Sequence, residues 1–231
     1  MRIAGVIIAG GKSSRMGQEK ALMTLGGKPL VSHIVERIAP QVATVILNAN
    51  GDMQRFEQLG LTVIPDRRSD IETPLAGLHS ALGWAKESGF DAVLSVPSDE
   101  PFVPRDLAAR LTGDMAAVAT SGGQTHYLTG FWPTKLLPLL EESFFQDRHS
   151  RESGNPAYAV KRSGPPAFAG VTVNKAKITQ TTRKVSRVQD WVAACDARIV
   201  DWSAQPFDPF FNVNTPQELA EAERIAAEFN P

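Results

Sequence analysis

The feature that most constrains the fold is a regular alternation of short apolar runs with amphipathic segments along the first half of the chain. Residues 2–8 form a β-branched run that ends at a pair of glycines, which is typical of a buried parallel strand. After Pro29, apolar residues recur at every fourth position and predict a helix. Repeated units of this kind predict an α/β fold with a mostly parallel sheet and helices on both faces. The strands are predicted at residues 2–8, 43–47, 61–64, 91–96, 115–119, 127–132 and 198–202, and the helices at 29–38, 53–59, 73–82, 104–111, 135–145, 187–194 and 216–229.

The size and composition of the chain favour one α/β domain over residues 1–231, with 42% hydrophobic and 21% charged residues. No apolar run approaches the roughly 18 residues that span a bilayer, and strand-like sequence begins at once. We therefore expect a cytoplasmic protein with no signal peptide and no membrane contact. The formal net charge of −1 gives no reason to expect nucleic acid as a partner. The one cysteine, Cys195, excludes an internal disulfide and is expected to pack inside a helical region.

Residues 147–182 differ from the rest of the chain and show no apolar periodicity. Eight Lys or Arg but only one acid, Glu152, lie within residues 148–184. Low hydrophobicity and high charge predict an insertion that is a long surface loop or disordered. Residues 149–156 and 166–170 resemble translated bacterial palindromic repeat elements, which implies no catalytic role. We favour inert padding, because surface loops lengthen at little cost, over an arm that binds phosphate or a partner.

A glycine-rich, basic stretch follows the first predicted strand, at the edge where open α/β sheets bind ligands. Paired glycines let backbone N–H groups approach phosphate oxygens, while Lys12, Arg15 and Lys20 supply positive charge spaced for a triphosphate. A P-loop is excluded because its first glycine would fall at Val6. A tight turn with solvated basic side chains is the alternative. Residues 9–20 nevertheless follow the pattern A-G-G-x-S-x-R-M-G-x-x-K, which favours a grip on the triphosphate of a nucleotide.

Polar residues follow other predicted strands and are expected at the same edge of the sheet. Asp99 comes just after the fourth strand, where a carboxylate can hold Mg²⁺ against a triphosphate. Asn48 and Asn50 end the second strand, where amides can bind a base or a ribose through paired donors and acceptors. Asp66 follows the third strand, and Asp70 is a nearby competitor for its role. Turn formation or helix capping is the alternative interpretation for each of these residues.

With these residues in place, the chain resembles the molybdenum cofactor guanylyltransferases, the MobA family within the larger group of α/β nucleotidyltransferases. The resemblance covers nearly the whole chain except residues 147–182, and its motifs occur in the family's order. It implies a Rossmann-like nucleotidyltransferase fold. Besides residues 9–20, the matching motifs are Gly27-Lys28-Pro29-Leu30, Asn48-Ala49-Asn50, Pro74-Leu75-Ala76-Gly77, Pro97-Ser98-Asp99-Glu100-Pro101 and Asn212-Val213-Asn214-Thr215-Pro216-Gln217-Glu218-Leu219.

The resemblance implies a Mg²⁺-dependent enzyme that transfers GMP from GTP to the terminal phosphate of molybdopterin and releases pyrophosphate. In the family Asp99 is the metal ligand, and Lys12, Arg15 and Lys20 are the other catalytic residues implied for this chain. The implied protein partners are those that deliver the cofactor and the molybdoenzymes that receive it. The implied nucleotide- and cofactor-binding residues are Ile8, Ala9, Gly10, Gly11, Lys20, Asn48, Asp66, Gly77, Asp99, Asn212 and Asn214.

Two asparagines near the last helix are explained by the resemblance alone. Thr215 can cap that helix and Pro216 can occupy its first turn, but capping leaves Asn212 and Asn214 without a purpose. The resemblance implies that these two residues lie near the catalytic cleft, on the pterin side. The four histidines show no metal-ligand spacing, and we expect surface or satisfied, partly buried positions for them. His126 departs from the family's His-Pro, which weakens a substrate-contact role for it.

Two other functions compete with guanylyl transfer. The nearest is a relative with another nucleotide or acceptor, such as a cytidylyltransferase of the molybdenum cofactor or a sugar-phosphate nucleotidyltransferase. Gly10 and Gly11, where cofactor cytidylyltransferases usually carry Ala-Gly, favour guanylyl transfer, and so do Asn212 and Asn214. The second is a non-catalytic module that binds nucleotide or escorts the cofactor. It would retain nucleotide but release no pyrophosphate.

Overall fold

The computed structural model describes residues 1–9, 20–68, 70–71, 73–152 and 187–229. Gly10, Gly11, Lys12 and Arg15 of the predicted phosphate grip therefore lie outside the described residues, as does most of the predicted insertion. None of the described helices is both long enough and apolar enough to cross a membrane.

The described chain is organised around a central sheet. Its strands are β1 (Ile3–Ile8), β2 (Thr24–Leu25), β3 (Lys28–Pro29), β4 (Thr44–Asn48), β5 (Thr62–Ile64), β6 (Ala92–Pro97), β7 (Ala117–Ser121), β8 (Gln124–Pro133) and β9 (Arg198–Trp202). Seven of these form one sheet in the order β5-β4-β1-β6-β8-β7-β9, and β2 pairs with β3 in a separate ribbon. Strands β5, β4, β1 and β6 are parallel, β8 is antiparallel to both of its neighbours, and β9 is parallel to β7. The predicted mostly parallel sheet is confirmed.

The antiparallel direction of β8 comes from the turn that joins it to β7. Gly122 and Gly123 have φ values of 53° and 80°, in the left-handed region that glycine adopts without steric cost. Because this turn returns the chain at once, β8 begins at Gln124 rather than at the predicted Tyr127. The hairpin brings His126 back beside β7, where Ala119 pairs with it.

Helices cover both faces of the sheet, as predicted. They are α1 (Leu30–Ile38), α2 (Pro74–Glu87), α3 (Leu107–Leu111), α4 (Leu137–Glu152), α5 (Val188–Ala194) and α6 (Pro216–Phe229). Alternate side chains of β1 serve opposite faces: Val6 and Ile8 join the apolar cluster that includes α2, α4 and α5, while Ile7 joins the cluster that includes α1 and α3. Helix α6 packs against Leu25 and Leu30 in a third cluster. Cys195 is buried in the first cluster, as expected for a packing residue.

Several predicted boundaries were wrong. Helix α4 continues to Glu152, past the predicted end at residue 145 and into the first residues of the predicted insertion, because no proline or glycine interrupts residues 139–153. Helix α3 begins at Leu107 rather than at Pro104. The segment Gln54–Leu59 is a 3-10 helix. The ribbon β2-β3 was missed because two-residue strands are too short to show alternation.

Candidate functional site

The carboxyl ends of β1, β4, β5 and β6 meet at one edge of the sheet. Just beyond β1, the amide of Ala9 donates to the carbonyl of Asn48 at 2.9 Å, and the amide of Ser98 donates to the carbonyl of Ile8 at 3.1 Å. These bonds extend the ladder past the strand ends. They place the segments carrying Asn48 and Asp99 on either side of β1, as the sequence predicted.

Asn48, Asn50 and Asp66 form a compact polar cluster beside β4 and β5. The Asp66 carboxylate accepts hydrogen bonds from Nδ2 of Asn48 at 3.0 Å and from Nδ2 of Asn50 at 2.7 Å. Oδ1 of Asn50 accepts from the amide of Asp66 at 2.9 Å. The competitor Asp70 is bonded to Arg68 instead, at 2.7 and 2.8 Å. Of the two candidate aspartates, the structure therefore brings Asp66 together with the asparagines.

One atom of this cluster has no partner in the described chain. The side chain of Asn48 is fully buried, and among the described residues its Oδ1 finds no hydrogen-bond donor. Gly77, in the second turn of α2, lies directly against it: a Cβ at Gly77 would sit 2.3 Å from Oδ1 of Asn48 and 3.1 Å from Cγ2 of Ile8. Glycine is required at this position because the helix approaches Asn48 so closely. A buried amide oxygen without a donor is costly and points to a ligand or water at this edge.

Asp99 lies on the opposite side of β1 from this cluster and is partly buried. Its carbonyl oxygen accepts the amide of Val213 at 2.9 Å, so the segment containing Asn212 and Asn214 runs alongside the residue predicted to bind the metal. The structure thus brings together Asp99 and the two late asparagines.

The start of α6 has the capping that the sequence predicted. Thr215 Oγ1 accepts the amide of Glu218 at 3.2 Å, and Glu218 Oε2 accepts the amide of Asn214 at 2.7 Å. These reciprocal bonds fix the segment at the point where it leaves Asp99. At the start of α2, in contrast, Thr73 does not cap: its hydroxyl is buried and finds no partner in the described part of the chain.

A buried polar network behind Asp99 was missed by the sequence analysis. Glu100, which is 3% exposed, accepts a hydrogen bond from Oγ1 of Thr129 at 2.6 Å. Nε2 of His126 lies 2.8 Å from Oγ of Ser121, which donates to Oδ1 of Asp208 at 2.7 Å. The sequence signal that could have indicated this network was Glu100 itself, an acid that follows Asp99 directly at the end of an apolar strand. Its partners lie more than 20 residues away and only the sheet brings them to it.

Burial changes the titration of two groups in this network. It raises the pKa of Glu100 well above its ordinary 4.5, and the charges of Asp99 and Asp208 raise it further, against the hydrogen bond from Thr129. Burial lowers the pKa of His126 from 6.5, although the charge of Asp208 opposes this shift. For both groups, burial therefore favours the uncharged form. His126 is almost enclosed, as expected for a satisfied histidine rather than one that contacts substrate.

The described residues offer few ligands for a metal. No group of three or more His, Cys, Asp or Glu side chains among them could hold an ion by itself. Asp99 stays a candidate for a metal that is also held by substrate oxygens. Lys20 begins the 3-10 turn Lys20–Leu22, next to the undescribed residues of the predicted phosphate grip.

The fold and the edge define a class of protein. The family model of the MobA-like NTP transferase domain matches residues 5–158. The fold is similar to the crystal structure of molybdopterin-guanine dinucleotide biosynthesis protein A from Archaeoglobus fulgidus, with a TM-score of 0.59 at 20% identity, covering 99% of this chain and 100% of that one. The fold is thus the Rossmann-like nucleotidyltransferase fold.

Relatives of greater sequence similarity narrow this class. The chain is 37% identical to the molybdenum cofactor guanylyltransferase of a Bradyrhizobium species, over 97% of this chain and 93% of that protein. It is also 37% identical to the molybdenum cofactor guanylyltransferase of Nitrobacter hamburgensis, over 96% of this chain and 94% of that protein. The chain belongs to the molybdenum cofactor guanylyltransferase family of MobA-like nucleotidyltransferases.

Proposed function

We propose that this protein transfers GMP from GTP to the terminal phosphate of molybdopterin and releases pyrophosphate. One observation carries the proposal: the sheet edge presents a polar cluster on one side of β1, in which the buried Oδ1 of Asn48 has no donor among the described residues, and Asp99 on the other side. Strand β1, which the predicted triphosphate grip follows in the sequence, lies between the two. Family membership, supported by near full-length similarity to named guanylyltransferases, agrees with this arrangement.

The guanosine portion is proposed to bind at the cluster of Asn48, Asn50 and Asp66. Oδ1 of Asn48 is an acceptor without a donor in the described chain, and it is held in place by two hydrogen bonds from its own Nδ2, to Asp66 and to the carbonyl of Ile64 at 3.2 Å. A guanine or ribose N–H or O–H would satisfy it. Gly77 is proposed as part of the binding site because its lack of a side chain lets the Asn48 amide lie directly against α2.

Asp99 is proposed to hold Mg²⁺ together with oxygens of the triphosphate. The donor set fits this ion, because Mg²⁺ is usually held by one or two carboxylates plus substrate phosphates and water rather than by an all-protein cage. When bound, the ion would neutralise charge that builds on the phosphates. Glu100 is directed into the buried network, with Thr129 bonded to its carboxylate, so of these two neighbouring acids Asp99 is the one proposed for the metal.

The chemistry that we propose needs no covalent enzyme intermediate. A terminal phosphate oxygen of molybdopterin forms a bond to the α-phosphorus of GTP, and the bond from that phosphorus to the bridging oxygen of pyrophosphate breaks. The attacking group is already an anion, so the protein mainly aligns the two phosphates and neutralises the leaving group. Lys12, Arg15 and Lys20 are proposed for the leaving group, and the backbone of residues 8–11 for the triphosphate.

The acceptor is proposed to lie on the side of Asp99 that faces Asn212 and Asn214. The bond from Val213 to Asp99 supports this assignment, because it holds the backbone between the two asparagines against the proposed metal ligand. A cytoplasmic location and protein partners that deliver or receive the cofactor belong to the same proposal.

Nucleotide preference tests the proposal. Thermal stability would be measured with GTP, CTP or ATP, each with Mg²⁺ and again with excess EDTA. A nucleotide present at 100 times its Kd should stabilise the fold by about 2.7 kcal/mol. We expect the largest shift with GTP, a smaller one with EDTA, and pyrophosphate release only when molybdopterin is added. Preferential stabilisation by CTP would instead indicate a cytidylyltransferase, and nucleotide binding without pyrophosphate release a non-catalytic module.

A further inference from the structure

We propose that Ser121, His126 and Asp208 form a positioning network that holds the segment carrying Asn212 and Asn214 against the loop carrying Asp99. The proposal rests on the proposed function, for which these two segments form the acceptor side of the site. None of the three residues contacts substrate in this proposal; they act through the backbone that they hold.

Hydrogen bonds hold residues 208–213, on the acceptor side, at both ends. Asp208 Oδ1 accepts from Oγ of Ser121 at 2.7 Å and from the amide of Phe210 at 2.9 Å. Three residues after Phe210, the amide of Val213 donates to the carbonyl of Asp99. Residues 208–213 are thus tied at one end to β7 and at the other to the loop after β6. Neither end can shift without breaking a bond of about 3 Å.

Ser121 is the central residue of the positioning network. Its hydroxyl has one hydrogen, and this hydrogen is given to the Asp208 carboxylate, which can only accept. Nε2 of His126, 2.8 Å from the same oxygen, must therefore carry its own hydrogen and donate to it. The His126 ring also packs on the ring of Phe210, with the centroids 4.6 Å apart. Histidine thus braces the segment both through Ser121 and directly.

The strand that carries His126 is bulged toward the Asp99 loop. Val118 of β7 pairs with Gly130, but the next residue, Ala119, pairs with His126, so three residues of β8 are accommodated between adjacent pairs. Thr129, in this bulge, donates to the carboxylate of Glu100, the neighbour of Asp99. The bulge and the hydrogen bonds of Ser121 therefore hold the loop carrying Asp99 from two directions.

The geometry separates this network from the nucleotide side. Asn48 and Asp66 belong to β4, β5 and the segment after them, across β1 from the Asp99 loop. Loss of the network should therefore disturb use of the acceptor while GTP affinity is retained. A residue that merely stabilises the fold would lower both together with the melting temperature.

A matched pair of variants at Asp208 tests the proposal. Asp208→Asn keeps an oxygen that accepts from both Ser121 and Phe210, whereas Asp208→Ala removes it. We expect Asp208→Ala to lower kcat/KM for molybdopterin by about tenfold or more, since small misplacements at a reacting centre have effects of this size. The Kd for GTP should stay within about twofold of wild type. Asp208→Asn should restore the loss, and Ser121→Ala should resemble Asp208→Ala.

Two results would overturn the proposal: unchanged acceptor kinetics in Asp208→Ala and Ser121→Ala, or equal losses of acceptor use and GTP affinity. Hydrogen exchange gives an independent measurement. The amides of Phe210 and Val213 should exchange faster in Asp208→Ala than in Asp208→Asn. If wild-type protein transfers no GMP to molybdopterin, the proposed function fails, and exchange alone decides on the network: equal protection in the two variants would reject it.

Discussion

Polar side chains on the two sides of the sheet edge differ in their exposure and in their hydrogen bonding. Beside β4 and β5, Asn50 is exposed, Asp66 is partly exposed, and the buried Asn48 keeps an oxygen for which the described chain offers no donor. Beside β6, β7 and β8, the side chains of Glu100 and His126 are enclosed and hydrogen-bonded within the protein. This contrast agrees with the proposals that the first side binds a ligand and that the second fixes the backbone. A candidate site is therefore composed of groups with unused bonding capacity and of groups that hold them in place.

The largest effect should come from Asp99, which follows β6 on the second side of the edge. Replacing Asp99 by Asn removes the proposed metal ligand, and we expect turnover to fall about a thousandfold or more, since one electrostatic contact at a reacting centre can contribute this much. Asp91→Asn is the matched control, because Asp91 lies at the opposite end of the same strand and bonds the amide of Arg2. Near wild-type turnover in Asp99→Asn, measured by pyrophosphate release, would contradict the proposed role.

The next largest effect should be a loss of GTP affinity on replacing Gly77, at the nucleotide side. In Gly77→Ala the new Cβ meets Oδ1 of Asn48 at 2.3 Å, and the displaced amide should weaken GTP binding about ten- to hundredfold, equivalent to about 1.4–2.8 kcal/mol. Gly83→Ala, in the same helix, provides the control. Its Cβ would meet the guanidinium of Arg67 at 2.6 Å, and a flexible side-chain end can move aside. Calorimetric titration with GTP checks both variants, and equal affinities would remove Gly77 from the site.

A smaller effect concerns the buried side alone. Because the folded protein raises the pKa of Glu100, the stability linked to this group is complete below pH 4.5 and is lost as the pH rises toward the folded pKa. Glu100→Gln cannot ionise but still offers an oxygen to Thr129. The variant should therefore be more stable than wild type, by a margin that grows by at most about 1.4 kcal/mol per pH unit within this window. His126 has the opposite slope below its ordinary pKa of 6.5, but it is present in both proteins.

Unfolding free energies of Glu100→Gln and wild type at pH 5 and pH 8, in EDTA, check this prediction. A margin of the same size at both values would mean that Glu100 titrates as an ordinary carboxyl. A lower stability of the variant at pH 8 would show that the charged form is the one that the fold prefers.

The smallest effect should come from the predicted basic insertion, which belongs to neither side of the proposed site. Replacing residues 154–182 by a glycine–serine sequence of equal length keeps the reach of the segment and removes its charges. We expect kcat and the Kd for GTP to stay within about twofold of wild type, because the sequence predicts that this segment is inert padding. Loss of activity with an unchanged melting temperature would favour the alternative, an arm that binds phosphate or a partner.

Local signals were sufficient for most of the fold. The apolar runs of β1 and β6, the spacing of α1 and the capped start of α6 all agree with the structure, because each depends on residues within a few positions of one another. Boundaries failed where no local signal stops an element, as at α4, or where a turn extends one, as at β8. Asn48, Asp66 and Asp99 could be assigned to one edge from the sequence because parallel strands end there.

Their exact environment could not be found in this way. Nothing near Asn48 in the sequence indicates that its oxygen is buried against Gly77, because that contact joins β4 to α2. The partners of Glu100 and Ser121 likewise lie on strands and loops that meet only in the folded chain. The roles of Lys12, Arg15 and Lys20 stay predictions.

The sequence by itself determined the class of fold, the edge where ligands are predicted to bind and the family, since these follow from periodicity and from motifs that are continuous along the chain. Only the tertiary structure decided which polar groups of the described chain have hydrogen-bond partners and which have none. Hydrogen bonding between side chains depends on distances of a few ångströms across strands, and burial depends on what packs from both faces of the sheet.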